Sequence, residues 1–154
     1  QNITISDDAK TKYTVGDEFL APKIYAHYAD DILAKMWTKY IMFSAYSASG
    51  TFFNANCGHL THDPEKKEVL LKLLNENAVV AKAMNIGLPE DIADVTYNNM
   101  CKYDPNATTS LQRDMYTEGK GTEWELIQGE MVRFAQKAGV NVPTLEMIYN
   151  KFKR

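Results

Sequence analysis

From Tyr40 to Ala48 the chain reads Tyr-Ile-Met-Phe-Ser-Ala-Tyr-Ser-Ala, apolar or small at every position. A helix without a polar face cannot rest on a surface and has to be enclosed by other elements. The helix begins upstream of this run. Asp30 and Asp31 offer a start, and Ile32, Leu33, Met36, Trp37, Tyr40 and Ile41 recur at three- and four-residue spacing. A chain of 154 residues holds one domain with a real core and not two full ones. The residues beyond Ala48 must therefore supply the enclosure.

The downstream sequence does this with helices. Gly50 to Gly58 reads as a break. Asp63-Pro64-Glu65 is a helix start, Asp as N-cap and Pro in the first turn. An apolar stripe from Val69 to Met84 then runs to Gly87, a C-terminal stop. Pro89-Glu-Asp opens another helix, which ends before Pro105, and Ser110 to Thr117 is a shorter one. A long helix spans Glu123 to Ala138, with Trp124, Ile127, Met131, Phe134, Ala135 and Ala138 on its apolar side and Gly139 closing it. Pro143 starts a last helix reaching Lys153. Residues 30–154 are thus expected to form an all-α domain.

The front of the chain differs. Residues 2–5 alternate as a short strand, 7–23 are polar with Gly16 and Pro22, and Ile24 to Tyr28 suggests a second strand. Two weak strands cannot make a domain, so residues 1–29 read as the tail of something larger.

Charge and composition narrow the function. A net charge of −3 and a pI near 5.6 give no electrostatic basis for binding nucleic acid or an anionic membrane. The uncharged stretch from Tyr40 to Thr61 carries Ser, Asn, Gly and His, which rules it out as a membrane span. The first residues lack the basic start and apolar segment of a signal peptide. Two cysteines, Cys57 and Cys101, point to free thiols and a cytoplasmic location.

Several residues carry chemistry. Lys39 is the only charge between Met36 and Tyr46; its ammonium either snorkels out or is drawn into a polar pocket. In a cleft it could give a proton to an oxygen gaining negative charge. Glu123 follows the hinge Glu118-Gly-Lys-Gly121 in the first helical turn, where a carboxylate can cap or serve a site. Cys57, His59, His62 and Asp63 cluster, but their spacing fits no standard zinc pattern and Asp63 has an N-cap to fill, so no metal is expected. Ser110 has no His or Asp at activating spacing. No G-x-G-x-x-G or P-loop glycine pattern occurs.

Thr109-Ser-Leu-Gln-Arg-Asp114, then Thr122-Glu-x-x-x-Ile-x-Gly129, Ala135, Gly139-Val and Pro143, resemble the C-terminal helical domain of the ketopantoate (2-dehydropantoate 2-) reductase family. Trp37-Thr-Lys39 resembles that family's W-x-K motif, and Asp30-Asp31 and Gly58-x-Leu60 fit around it. The resemblance runs from about Asp30 to Lys153. It implies a 6-phosphogluconate-dehydrogenase-like helical domain, preceded at 1–29 by the end of a Rossmann domain that would hold NADP or NAD. It implies Lys39 as general acid toward the 2-oxo oxygen, Ser110 as a substrate contact, and Glu123 in the polar network that meets the cofactor.

Where pantoate-forming members carry asparagines, this chain has Phe43, Ser47 and Cys57. Phenylalanine offers no hydrogen bond to a hydroxyl-bearing substrate. The three positions, as substrate contacts, suggest a 2-oxo acid with an apolar or aromatic side chain, reduced to a D-2-hydroxy acid as in the family's D-mandelate dehydrogenases. The alternative is ketopantoate itself. A rival of another class is a non-catalytic helical module, whose apolar 40–48 helix would bury against a second copy in a homodimer.

Overall fold

The computed structural model describes the backbone of residues 2–6 and 25–153 and the side chains of residues 29–153. The polar stretch 7–23, the strand start at Ile24 and the side chain of His27 lie outside the described residues. The chain forms two compact units, Gln1–Trp37 and Thr38–Arg154. The division falls inside a helix, later than the boundary expected after residue 29.

In the first unit, β1 (Asn2–Ser6) pairs with β2 (Tyr25–Ala29) in parallel, Asn2 opposite Tyr25 and Ser6 opposite Ala29. Parallel neighbours need a crossover rather than a tight turn. Both strand signals are met, each within a residue. Asp31 Oδ1 then accepts from the Ala34 amide at 2.9 Å, capping α1 (Ile32–Phe53) as the paired aspartates suggest.

In the second unit α1 runs straight through Gly50, where the sequence predicts a break. Glycine is used there for closeness, since a Cβ would lie 2.6 Å from Gln112 Oε1. The helix stops at Asn54, which takes φ +46°, a left-handed conformation that Asn tolerates better than most residues. A short α2 (Cys57–His62) comes next, where no helix was expected. Its first amides, Cys57 and Gly58, donate to Ala107 O at 2.9 Å and Pro105 O at 2.8 Å. Those bonds fill helix-start donors from a distant loop, and Asn56 caps the same turn locally, its side chain accepting from the His59 amide at 3.1 Å.

Next come α3 (Pro64–Ala83) and α4 (Ile92–Met100). Asp63 caps α3 as expected, but the helix ends before Gly87, with Asn85 at φ +57° making the turn. After α5 (Ser110–Met115), the long predicted helix is interrupted. A π-helical turn, Glu125–Gly129, precedes α6 (Glu130–Ala138), which Gly139 closes at φ +68°. The last helix is α7 (Pro143–Phe152), whose Thr144 and Leu145 amides both donate to the Glu76 carboxylate at 2.9 Å.

Helix α3 is the packing centre, touching α2, α4, α6 and α7. Leu70, Leu73 and Leu74 from α3, Met131 from α6 and Leu145 and Ile148 from α7 have no exposed surface. Each such side chain contributes about 1.5–3 kcal/mol relative to an exposed one. Helix α1 is enclosed as its sequence requires: Ser44, Ala45, Ser47, Ala48 and Ser49 are fully buried. The Ser47 and Ser49 hydroxyls donate to carbonyls four residues back, Phe43 O and Ala45 O, each at 2.7 Å. Small side chains whose hydroxyls bond within the helix let neighbouring elements approach α1 closely. Among the described residues no helix is long and apolar enough to cross a membrane.

Candidate functional site

At 3.6 residues per turn, Lys39, Phe43, Tyr46 and Gly50 follow one stripe of α1, and Tyr40, Ser44 and Ser47 follow the stripe beside it. Each stripe meets a different predicted site segment.

The first stripe leads to Ser110. Tyr46 donates its phenol proton to Ala107 O at 2.6 Å, and Gly50 faces Gln112. Thr109 caps α5 by accepting from the Gln112 amide at 3.1 Å, which leaves Ser110 exposed in the first turn. Burial pushes the Tyr46 phenol well above its ordinary titration range, with the nearby Cys57 thiol adding to the effect. It therefore acts as a neutral donor.

The second stripe leads to Glu123. Tyr40 donates to Ile127 O at 2.7 Å, and Ser44 donates to Gln128 Oε1 at 2.9 Å. Gln128 Nε2 donates in return to Ser44 O at 3.1 Å and Ser47 Oγ at 2.9 Å. Ile127 and Gln128 belong to the π turn, and the Ile127 amide donates to Glu123 O at 2.9 Å. Glu123 stands exposed shortly before this turn, with Thr122 Oγ1 accepting from the Trp124 amide at 3.4 Å. Burial raises the Tyr40 phenol, Glu130 reinforcing it, so this tether too stays protonated.

Lys39 is exposed and Phe43 is half-buried one turn further on. Its exposure leaves Lys39 outside any buried polar pocket of the described residues. Lys39 and Phe43 lie on α1 itself, while the segments carrying Ser110 and Glu123 are tied to that helix through Ala107 and Gln112 and through Ile127 and Gln128.

Ser47 and Cys57, expected as substrate contacts, are placed differently. Ser47 has no exposed surface, donating to Phe43 O and accepting from Gln128. Cys57 is 1% exposed, its thiol directed at Met100 O at 3.6 Å and raised in pKa chiefly by burial. Both polar atoms are occupied inside the fold, so neither presents surface to a substrate. Tyr40, Ser44 and Gln128 were not singled out from the sequence. The signal available was the polar spacing 40, 44, 47 along an otherwise apolar helix.

The Cys57–Asp63 cluster disperses. His59 Nδ1 meets Asn56 Oδ1 at 2.8 Å and His62 Nδ1 meets Gly58 O at 3.0 Å. Asp63 holds the α3 amides and Lys66. Among the described residues no three His, Cys, Asp or Glu side chains converge as a metal site would need.

Comparison with known proteins agrees with this architecture. A 2-dehydropantoate 2-reductase of Nostoc sp. is 26% identical over 139 residues, covering 90% of this chain and 43% of the relative. The enzyme of the same name from Aquifex aeolicus is 28% identical over 139 residues, covering 88% and 44%. The chain spans about half the length of these curated relatives. Among solved structures, a dimeric ketopantoate reductase from Staphylococcus aureus superposes with a TM-score of 0.87 at 22% identity, over 99% of this chain and 52% of that one. A D-mandelate dehydrogenase bound to NADH and anilino(oxo)acetate gives 0.81 at 20% identity, over 98% and 64%. At such identities the superpositions speak to the fold, which is the helical C-terminal domain of these reductases. Residues 31–154 match the model of the ketopantoate reductase PanE/ApbA C-terminal family, and the chain belongs to that family.

Proposed function

We propose that this chain is the proton-donating helical half of a reductase acting on 2-dehydropantoate. The observation that carries the reading is Lys39, an exposed lysine on the helix to which Tyr46 ties the loop before Ser110 and Tyr40 ties the turn after Glu123. The family's curated relatives support the same assignment.

A reduced nicotinamide dinucleotide, NADPH or NADH, supplies the hydride when bound, and a Rossmann domain ending near residue 29 would carry it. The parallel pair β1–β2 suits the end of such a domain. No glycine-rich phosphate cradle occurs in this sequence, so what its described residues offer the dinucleotide is the exposed carboxylate of Glu123, an acceptor for hydroxyl or amide donors. Lys39 gives its proton to the 2-oxo oxygen as the carbonyl carbon accepts hydride. Its charge meets an oxygen that becomes negative only during reaction, so the interaction favours the transition state over the bound ketone. Ser110 donates to the substrate. Free thiols at Cys57 and Cys101 fit a reducing, cytoplasmic setting.

The second reading, reduction of apolar or aromatic 2-oxo acids to D-2-hydroxy acids, rests on Phe43. It has lost part of its basis, because two of the three positions that suggested it, Ser47 and Cys57, lie inside the fold. Substitution there removes little from a substrate surface. The deciding experiment compares kcat/KM of the full-length protein on ketopantoate and on phenylglyoxylate. Preference for ketopantoate is expected, and preference for phenylglyoxylate would transfer the assignment to the second reading.

A further inference from the structure

Helix α1 buries five small residues in its second half, Ser44, Ala45, Ser47, Ala48 and Ser49, beside the larger Trp37, Ile41 and Tyr46. Small residues let neighbours pack closely, so the rotation of α1 is left to its few large side chains, Ile41 and Tyr46 among them, and to directional bonds. The proposed acid lies on this helix, so turning α1 by one residue's worth of arc would redirect Lys39. Something must hold the rotation.

Gln128 is placed to do so. It is a glutamine with no exposed surface, delivered to α1 by the π turn Glu125–Gly129. Its carboxamide grips one residue from two sides, Oε1 accepting from Ser44 Oγ at 2.9 Å and Nε2 donating to Ser44 O at 3.1 Å. The second Nε2 proton goes to Ser47 Oγ at 2.9 Å, whose own proton goes to Phe43 O at 2.7 Å. Both amide protons are used, so the group is buried without an orphaned donor. Hydrogen bonds depend on direction where apolar contact does not, so this clamp selects one rotation of α1. The same turn begins one residue after Trp124, itself next to Glu123, and Ile127 also receives Tyr40. π turns shift the register of a helix and frequently occur at functional sites.

We propose that Gln128 is a positioning residue: its carboxamide, locked onto Ser44 and Ser47, fixes the rotation of α1 and so aims Lys39 relative to Glu123. This rests on the reading of Lys39 as proton donor. A misdirected acid lowers turnover while leaving ground-state binding of substrate and cofactor nearly unchanged.

The test uses the full-length protein with ketopantoate and a reduced nicotinamide dinucleotide, comparing wild type, Lys39→Ala, Gln128→Leu and Ser44→Ala. Gln128→Leu should lower kcat about tenfold or more, with KM for both ligands within about twofold, and should displace the pH limb of kcat that Lys39→Ala abolishes. A merely structural role would lower the melting temperature without moving that limb. Ser44→Ala, a smaller change that keeps the helix, should lower kcat in the same direction and decides the matter if Gln128→Leu does not fold. Wild-type kcat and an unmoved limb in the folded variants would overturn the proposal while the lysine reading stands. Wild-type turnover in Lys39→Ala would remove the reading itself, and the positioning role with it.

Discussion

The phenol of Tyr40 donates to the backbone carbonyl of Ile127 at 2.7 Å, joining the start of the enclosed helix to the π turn that comes after Glu123. Lys39 is its neighbour in sequence, so the same bond sits at the base of the proposed proton donor. Tyr40→Phe removes the hydroxyl and leaves Ile127 O with one partner fewer. The expected loss is about 1–2 kcal/mol, read by urea unfolding of the full-length protein. Because the folded-state phenol pKa is raised, this contribution is complete below the unfolded value of about 10 and fades as pH rises beyond it. The stability difference between wild type and Tyr40→Phe should therefore narrow in strongly alkaline buffer.

Lys39→Ala in the full-length enzyme should reduce kcat by about 10²–10⁴, the usual contribution of a positioned acid. Cofactor affinity, followed by fluorescence titration, should stay within about threefold, since the alanine removes no group that Glu123 supplies. Unchanged turnover would take Lys39 out of the mechanism.

Phe43 lies one turn beyond Lys39 and is half-buried, the one partly exposed position of substance among the three where pantoate-forming relatives are expected to carry asparagine. Phe43→Asn adds hydrogen-bonding groups to the surface beside the acid. The ratio of kcat/KM for ketopantoate over phenylglyoxylate should rise about tenfold, measured side by side. A ratio that does not move would place Phe43 outside substrate reach.

Two glycines should respond oppositely to alanine. A Cβ at Gly58 would lie 2.8 Å from Pro105 Cβ and 3.1 Å from Pro105 O, a ring and a backbone that cannot turn aside. Gly58→Ala should cost about 1–3 kcal/mol as overpacking. At Gly121 a Cβ meets nothing within 4 Å and no positive φ is required, so Gly121→Ala should be neutral or slightly stabilising. Thermal unfolding of the pair reads the difference directly.

Asp63 accepts from the Glu65 and Lys66 amides and pairs with the Lys66 ammonium at 2.7 Å. These partners, the Lys66 side chain foremost, hold its carboxyl below the ordinary range. A carboxylate with a depressed folded pKa stabilises fully above its unfolded value, about 3.9, and loses that contribution as pH falls through the folded value. Asp63→Ala should lower the melting temperature at neutral pH, and the gap from wild type should close as the buffer is acidified below about pH 4. A gap independent of pH would mean the cap works without its charge.

Much of the helical architecture could be read from local patterns, because caps, prolines and apolar periodicity act over a few residues. Asp31 at α1, Asp63 and Pro64 at α3, Pro143 at α7 and Gly139 after α6 all act where the sequence places them. The uninterrupted apolar run at 40–48 demanded enclosure, and the helix is enclosed. The family could be read along the chain as well, from the order of the segments around Lys39, Ser110 and Glu123.

Tertiary contact decided the rest. Gly50 extends a helix instead of breaking it, and the Gln112 side chain packs where a Cβ would stand. Helix α2 has a local cap in Asn56, but its first two amides are received by Ala107 and Pro105 from nearly fifty residues away. Ser47 and Cys57 look like site residues along the chain, but they turn inward to Gln128 and Met100. The π turn and its glutamine clamp answer to no local preference. They arise where two elements distant in sequence must satisfy each other's polar groups out of reach of water.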